Sequence, residues 1–124
     1  MSCSSALVTY SSPPLESYSK NKTAEVLIAN PKFVQVMQRL ASFQDENVLR
    51  ALAMVGRNLS KFEAGVRVLS HPFLIYMFEC MKRSKYQETK LFALTAAINV
   101  NRDEVVRKPN TVELLKGLIK SIND

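Results

Sequence analysis

The chain has 124 residues, 47% of them apolar and 23% charged. That is the size and balance of one folded domain, and it excludes a wholly disordered, collagen-like or membrane-embedded protein. Three glycines and no tryptophan disfavour a nucleotide enzyme built on a glycine-rich phosphate loop, and the net charge of +6 biases encounters toward acidic surfaces without reaching that of a dedicated nucleic-acid binder.

Seven serines and Pro13-Pro14 fall between Ser2 and Ser19. Such a composition buries too little surface to offset chain entropy, so residues 1–22 are expected to form a disordered Ser- and Pro-containing tail. The N-terminus lacks the charged and apolar regions of a signal peptide. The longest apolar run, Phe73 to Phe78, is far shorter than the roughly 20 residues that span a bilayer. An intracellular chain, cytoplasmic or nuclear and without membrane contact, is expected. Cys3 and Cys80 are the only cysteines, and with Cys3 in the tail a structural disulfide is not expected, which fits a reducing compartment.

From Thr23 onward apolar residues recur at helical spacing, and no stretch alternates as a strand does. Thr23 to Ala29 predicts a short helix that stops before Asn30, because the residue preceding Pro31 is pushed out of the α region. Asn30 is expected to cap a second helix with Pro31 at its first position, carrying Phe33, Val34, Met37 and Leu40 on one face and ending near Ser42. Asp45 is a natural cap for a third helix, broadly apolar through Val48, Leu49, Leu52, Val55 and Leu59 and expected to be the most buried.

The same phrase then repeats. Lys61 to Ser70 is a short helix with Phe62, Val66 and Leu69 inward, His71-Pro72 restarts the chain, and Phe73 to Arg83 is the middle helix. Tyr86 to Val100 is the long helix, with Leu91, Leu94, Ile98 and Phe92 assigned to packing. A third copy opens at Arg102 with Val105 and Val106 in a short segment, followed by a helix over Thr111 to Ile122. Pro31 and Pro72 lie 41 residues apart, and Leu114, Leu115 and Leu118 lie 40 beyond Leu74, Ile75 and Phe78.

A period near 40 with one short helix and two longer ones belongs to the helical solenoids. Ala51-Leu52 leading to Asn58-Leu59, and Ala93-Leu94 leading to Asn99-Val100, resemble the third helix of the armadillo repeat family. The resemblance covers residues 24 to 124; HEAT repeats and an irregular helical bundle are alternatives with similar periodicity. It implies an all-α, right-handed α-solenoid of about two and a half three-helix repeats, near 23–60, 61–101 and 102–124. Third helices of that family line a groove that binds extended peptides or other proteins.

Catalytic or metal chemistry has little support. His71 suits helix capping or loop packing, Cys80 reads as a small core residue, and the carboxylates favour helix starts rather than a shared site. No enzyme activity and no cofactor are expected. Lys82, Arg83 and Lys85 cluster at a helix end, where positive charge satisfies orphan carbonyls.

On the family pattern, a partner-binding groove is expected from Arg50, Met54, Arg57, Asn58, Thr95, Asn99 and Arg102. Asn58 and Asn99 would form a ladder, and the arginines would line the groove for an acidic protein or peptide. Met54 and Thr95 stand where import receptors of the family carry tryptophan, which argues against nuclear-localisation-signal binding. The third copy stops after its second helix, so Leu114, Leu115, Leu118, Ile119 and Ile122 are expected to form an open C-terminal interface for a homodimer, a partner helix or a longer repeat array. The function expected is a non-enzymatic protein-interaction or scaffold module; the alternative is a basic helical domain contacting nucleic acid or another polyanion.

Overall fold

The computed structural model describes residues 24–124, so the expected tail and Cys3 lie outside the described residues. Within them the chain is all-α: α1 (Ala24–Ala29), α2 (Phe33–Ser42), α3 (Glu46–Leu59), α4 (Glu63–Leu69), α5 (Pro72–Met81), α6 (Gln87–Arg102) and α7 (Pro109–Asn123). No strand occurs among the described residues.

Local chemistry sets the boundaries. The Asp45 carboxylate accepts from the backbone N–H groups of Asn47 and Val48 at 2.9 and 3.1 Å, capping α3. His71 Nδ1 accepts from Phe73 N–H at 3.1 Å and Pro72 occupies the first turn, which starts α5. At α7, the Thr111 hydroxyl accepts from Lys108 N–H and donates to Lys108 C=O.

Two expected starts differ. Asn30 caps a turn rather than a helix, its Oδ1 accepting from Lys32 N–H at 2.9 Å, and α2 begins at Phe33. The segment around Val105 and Val106 is a turn, closed by Arg107 N–H donating to Asp103 C=O at 2.9 Å.

Each helix of the first group lies on its counterpart in the second: α1 contacts α4, α2 contacts α5, and α3 makes the most extensive contact, with α6. Arg50 meets Glu88, Arg57 covers Phe92 and Asn99 meets Ser60. These contacts advance together along the chain, so α3 and α6 run parallel. Helix α7 packs on both α5 and α6. Polar ties join segments distant in sequence: Ser84 Oγ donates to Glu46 at 2.6 Å, and Ser121 Oγ to the Lys82 carbonyl at 2.5 Å.

The core runs through Met37, Leu49, Leu52, Leu69, Leu74, Met77, Phe78, Met81, Val100, Leu114 and Leu118. The densest apolar helix is α5 rather than α3, which keeps one exposed face along Asn47, Ala51, Met54 and Asn58. A Cβ on Gly56 would stand 2.7 Å from Phe78 Cζ, and one on Gly65 would overlap the Leu59 carbonyl. Small residues Ala53, Ala93, Ala96 and Ala97 are fully buried. Because they fill the inner faces, Leu91 and Ile98 point outward, at 45% and 37% exposure, and Leu40 joins Val36 and Phe43 on an outer strip of α2.

Two predictions test this packing by urea denaturation. Gly65→Ala costs about 3 kcal/mol through overpacking against backbone, whereas Gly117→Ala, whose Cβ meets only the flexible end of Lys82, gains up to about 1 kcal/mol of helix propensity. Thr89 is fully buried and its hydroxyl has no hydrogen-bond partner, so the near-isosteric Thr89→Val raises stability by about 1 kcal/mol.

Candidate functional site

The exposed strip of α3 and that of α6, which carries Leu91, Thr95, Ile98 and Arg102, flank a seam where the two helices meet. Arg50 and Arg57, seven residues apart and so about 10 Å along the helix axis, lie in that seam. Each rests on an aromatic ring of the second copy. Arg50 Cζ sits 4.7 Å from the Tyr86 ring centroid and Arg57 Cζ 4.5 Å from that of Phe92. A cation held over an aromatic ring at this distance is attracted by the ring quadrupole and is shielded from water on the side facing the ring.

The two arginines differ at their edges. Arg50 donates to Asn47 Oδ1 at 3.2 Å and approaches Glu88 at 3.5 Å, a partly exposed pair worth at most about 1 kcal/mol. Arg57 donates through both Nε and Nη2 to Asn58 Oδ1, each at 3.3 Å, and among the described residues it has no carboxylate partner.

Of the seven expected groove residues Met54, Asn58, Thr95 and Arg102 are exposed and Arg50, Arg57 and Asn99 are half-buried, and the two asparagines are not equivalent rungs. Asn58 is exposed and braces Arg57. Asn99 is half-buried, its amide donating to Ser60 Oγ at 2.9 Å, and Ser60 in turn donates to the Arg57 carbonyl at 2.7 Å. Asn99 thus belongs to the contact between α6 and the C-terminal end of α3. The Thr95 hydroxyl turns back to the Leu91 carbonyl at 3.1 Å, and Arg102 is exposed at the end of α6.

The five residues assigned to an open C-terminal interface separate in space. Leu114 and Leu118 are buried in the chain's own core, Leu115 and Ile122 are half-buried, and only Ile119 is exposed. The outward strip of α7 is polar, formed by Glu113, Lys116, Lys120 and Asn123. The buried side of α7 packs on α5 and α6, which withdraws Leu114 and Leu118 from any open end, whereas Leu115, Ile119 and Ile122 line a partly exposed strip.

Tyr86, Phe92, Leu91 and Ile98 complete the site without having been assigned to it from sequence. The signal for the aromatic shelves is a spacing: Tyr86 follows Arg50 by 36 residues and Phe92 follows Arg57 by 35, just under the period that brings third helices side by side.

Elsewhere, recesses of about 160 and 250 Å³ adjoin between the α2–α3 corner and α5, both lined by Gln44, Tyr76 and Cys80. Cys80 is half-buried on this recess rather than in the core, and Gln44 is the one positive-φ residue among those described, at 56°. No group of three or more His, Cys, Asp or Glu side chains suited to a metal ion forms among the described residues, and no helix there is long and apolar enough to cross a membrane. No family model, curated protein or solved structure matches the chain.

The geometry separates the asparagines experimentally. Asn99→Ala costs about 1 kcal/mol of stability by removing a half-buried hydrogen bond, while Asn58→Ala changes stability by less than about 0.5 kcal/mol. Parallel urea titrations of the two variants read the difference.

Proposed function

We propose that the chain is a non-enzymatic, armadillo-like right-handed helical repeat module that binds an acidic segment of a protein partner along the α3–α6 face. The recurrence of helix types every 40 or so residues, together with the stacking of α1, α2 and α3 on α4, α5 and α6, supports the repeat reading.

One observation carries the binding reading: arginines held over aromatic rings alternate on this face with exposed Met54, Leu91 and Ile98. Apolar side chains standing among oriented donors suit a peptide that supplies both apolar and acidic groups. They suit a nucleic acid poorly. The faces of Tyr86 and Phe92 against which bases would stack are already covered by arginine.

Selection from a random peptide library on the full chain tests the reading. It yields peptides combining Asp or Glu with apolar residues. Their affinity, followed by fluorescence anisotropy, falls at least about tenfold with Ile98→Asp, because a charge replaces an apolar contact, and falls less than about tenfold between about 50 and 200 mM salt. A loss of roughly a thousandfold over that salt range, with tight binding of a single-stranded oligonucleotide, would establish polyanion binding instead.

A further inference from the structure

The two arginine shelves invite comparison with each other. Over Tyr86, Arg50 is braced by an asparagine oxygen and has a carboxylate, Glu88, near its edge. Over Phe92, Arg57 is likewise braced by an asparagine oxygen, but the residue beneath it is apolar and no acid of the described chain pairs with it. We infer that Arg57 is the anchor for one carboxylate of the partner, a side chain of Asp or Glu that takes at Arg57 the place Glu88 takes at Arg50. The inference rests on the peptide-binding reading above and names the partner group that the site selects.

The donor arithmetic permits it. A guanidinium carries five N–H groups in a fixed fork. Two are spent on Asn58 Oδ1, through Nε and Nη2. The two protons of Nη1 and the second of Nη2 remain, and these flank the edge that receives a carboxylate in the bidentate manner. Phe92 shields one face of the group and Asn58 fixes its rotation, so little freedom is lost when the carboxylate arrives. Met54, one turn before Arg57 on α3, is 40% exposed, and Thr95, almost one turn after Phe92 on α6, is also exposed. Both flank the shelf and would meet the residues on either side of the acid. With a chain charge of +6, an acidic segment is also the favoured encounter partner.

A double-mutant cycle tests the assignment. The probe is an acidic peptide selected on the full chain as above, and its form with each Glu or Asp changed in turn to Gln or Asn. Against the wild-type protein, amidation of one acid weakens binding by about tenfold to a hundredfold, as loss of a charged hydrogen bond does. Against Arg57→Gln the acid and amide forms bind alike. Arg57→Lys restores only part of the difference, since an ammonium offers no fork. Thermal melts confirm that the variants are folded. In the unsubstituted protein the Arg57 Nε–H resonance moves with the acidic peptide and not with its amide form, which keeps the test open should Arg57→Gln fail to fold. Coupling that appears at Arg50, or nowhere, while Ile98→Asp still abolishes binding, overturns the role of Arg57 and leaves peptide binding standing. Failure to select any peptide that responds to substitutions on this face overturns both.

Discussion

The ring of Phe78 lies where a side chain on residue 56 would be, 2.7 Å from the ideal Cβ position and 1% exposed. Three helices meet there: Gly56 brings α3, Phe78 brings α5, and Ala96 of α6 is 3.9 Å from the same point. Close packing of this kind leaves no room for adjustment, because interiors are filled to crystal-like density and a single added carbon must displace something. Gly65 makes the same demand at the next corner, against the Leu59 carbonyl. The short turn from α3 into α4, and the close approach of α3 to α5 and α6, depend on these two positions. Three glycines in the whole chain are few. Two of them stand where helix meets backbone or buried ring, which is where a glycine is worth its cost in helix propensity.

That constraint has an outward consequence. When alanines 93, 96 and 97 fill the inner side of α6, its large apolar residues cannot also be inside, and Leu91 and Ile98 are left at the surface. The face that carries the arginine shelves is therefore apolar because the seam beneath it is tight. Exposed apolar side chains next to half-buried, oriented donors are a costly arrangement in water, and this is the surface feature on which the binding proposal rests.

Helix positions were legible in the sequence wherever capping chemistry was local. Asp45 and His71-Pro72 mark their helices within a residue, and the helix expected from Thr111 starts two residues earlier, at Pro109. Side-chain direction was less legible. Leu40, Leu91 and Ile98 satisfy helical periodicity as well as any core residue, and periodicity weighted by size favours leucine over alanine; the structure chose alanine because two neighbouring helices approach closely. The Asp103–Arg107 turn was missed because Val105 and Val106 look helical, although Asp103 captures the Val105 N–H at 2.9 Å and closes a turn instead. The pairing of arginine with aromatic was hidden because it joins residues 35 and 36 apart, a relation between copies rather than within one.

The C-terminal helix shows how the same physics can reverse an expectation. Leucines 114, 115 and 118 in a helix that ends an array read as a face awaiting a partner, since each layer of stacked helices buries its face on the next. Yet α7 packs on both α5 and α6, so the two leucines that matter most are consumed internally. The strip left outside carries Glu113, Lys116, Lys120 and Asn123 beside the partly exposed Leu115, Ile119 and Ile122. On α2, Val36 and Leu40, with Phe43 just past its end, are 52%, 39% and 69% exposed, and among the described residues no donors are oriented between them. Along the α3–α6 seam apolar exposure coincides with arginines held over aromatic rings. A surface that offers both apolar contact and positive charge can satisfy a partner's apolar and acidic groups together, which is why recognition is proposed at the seam and not on α2 or α7.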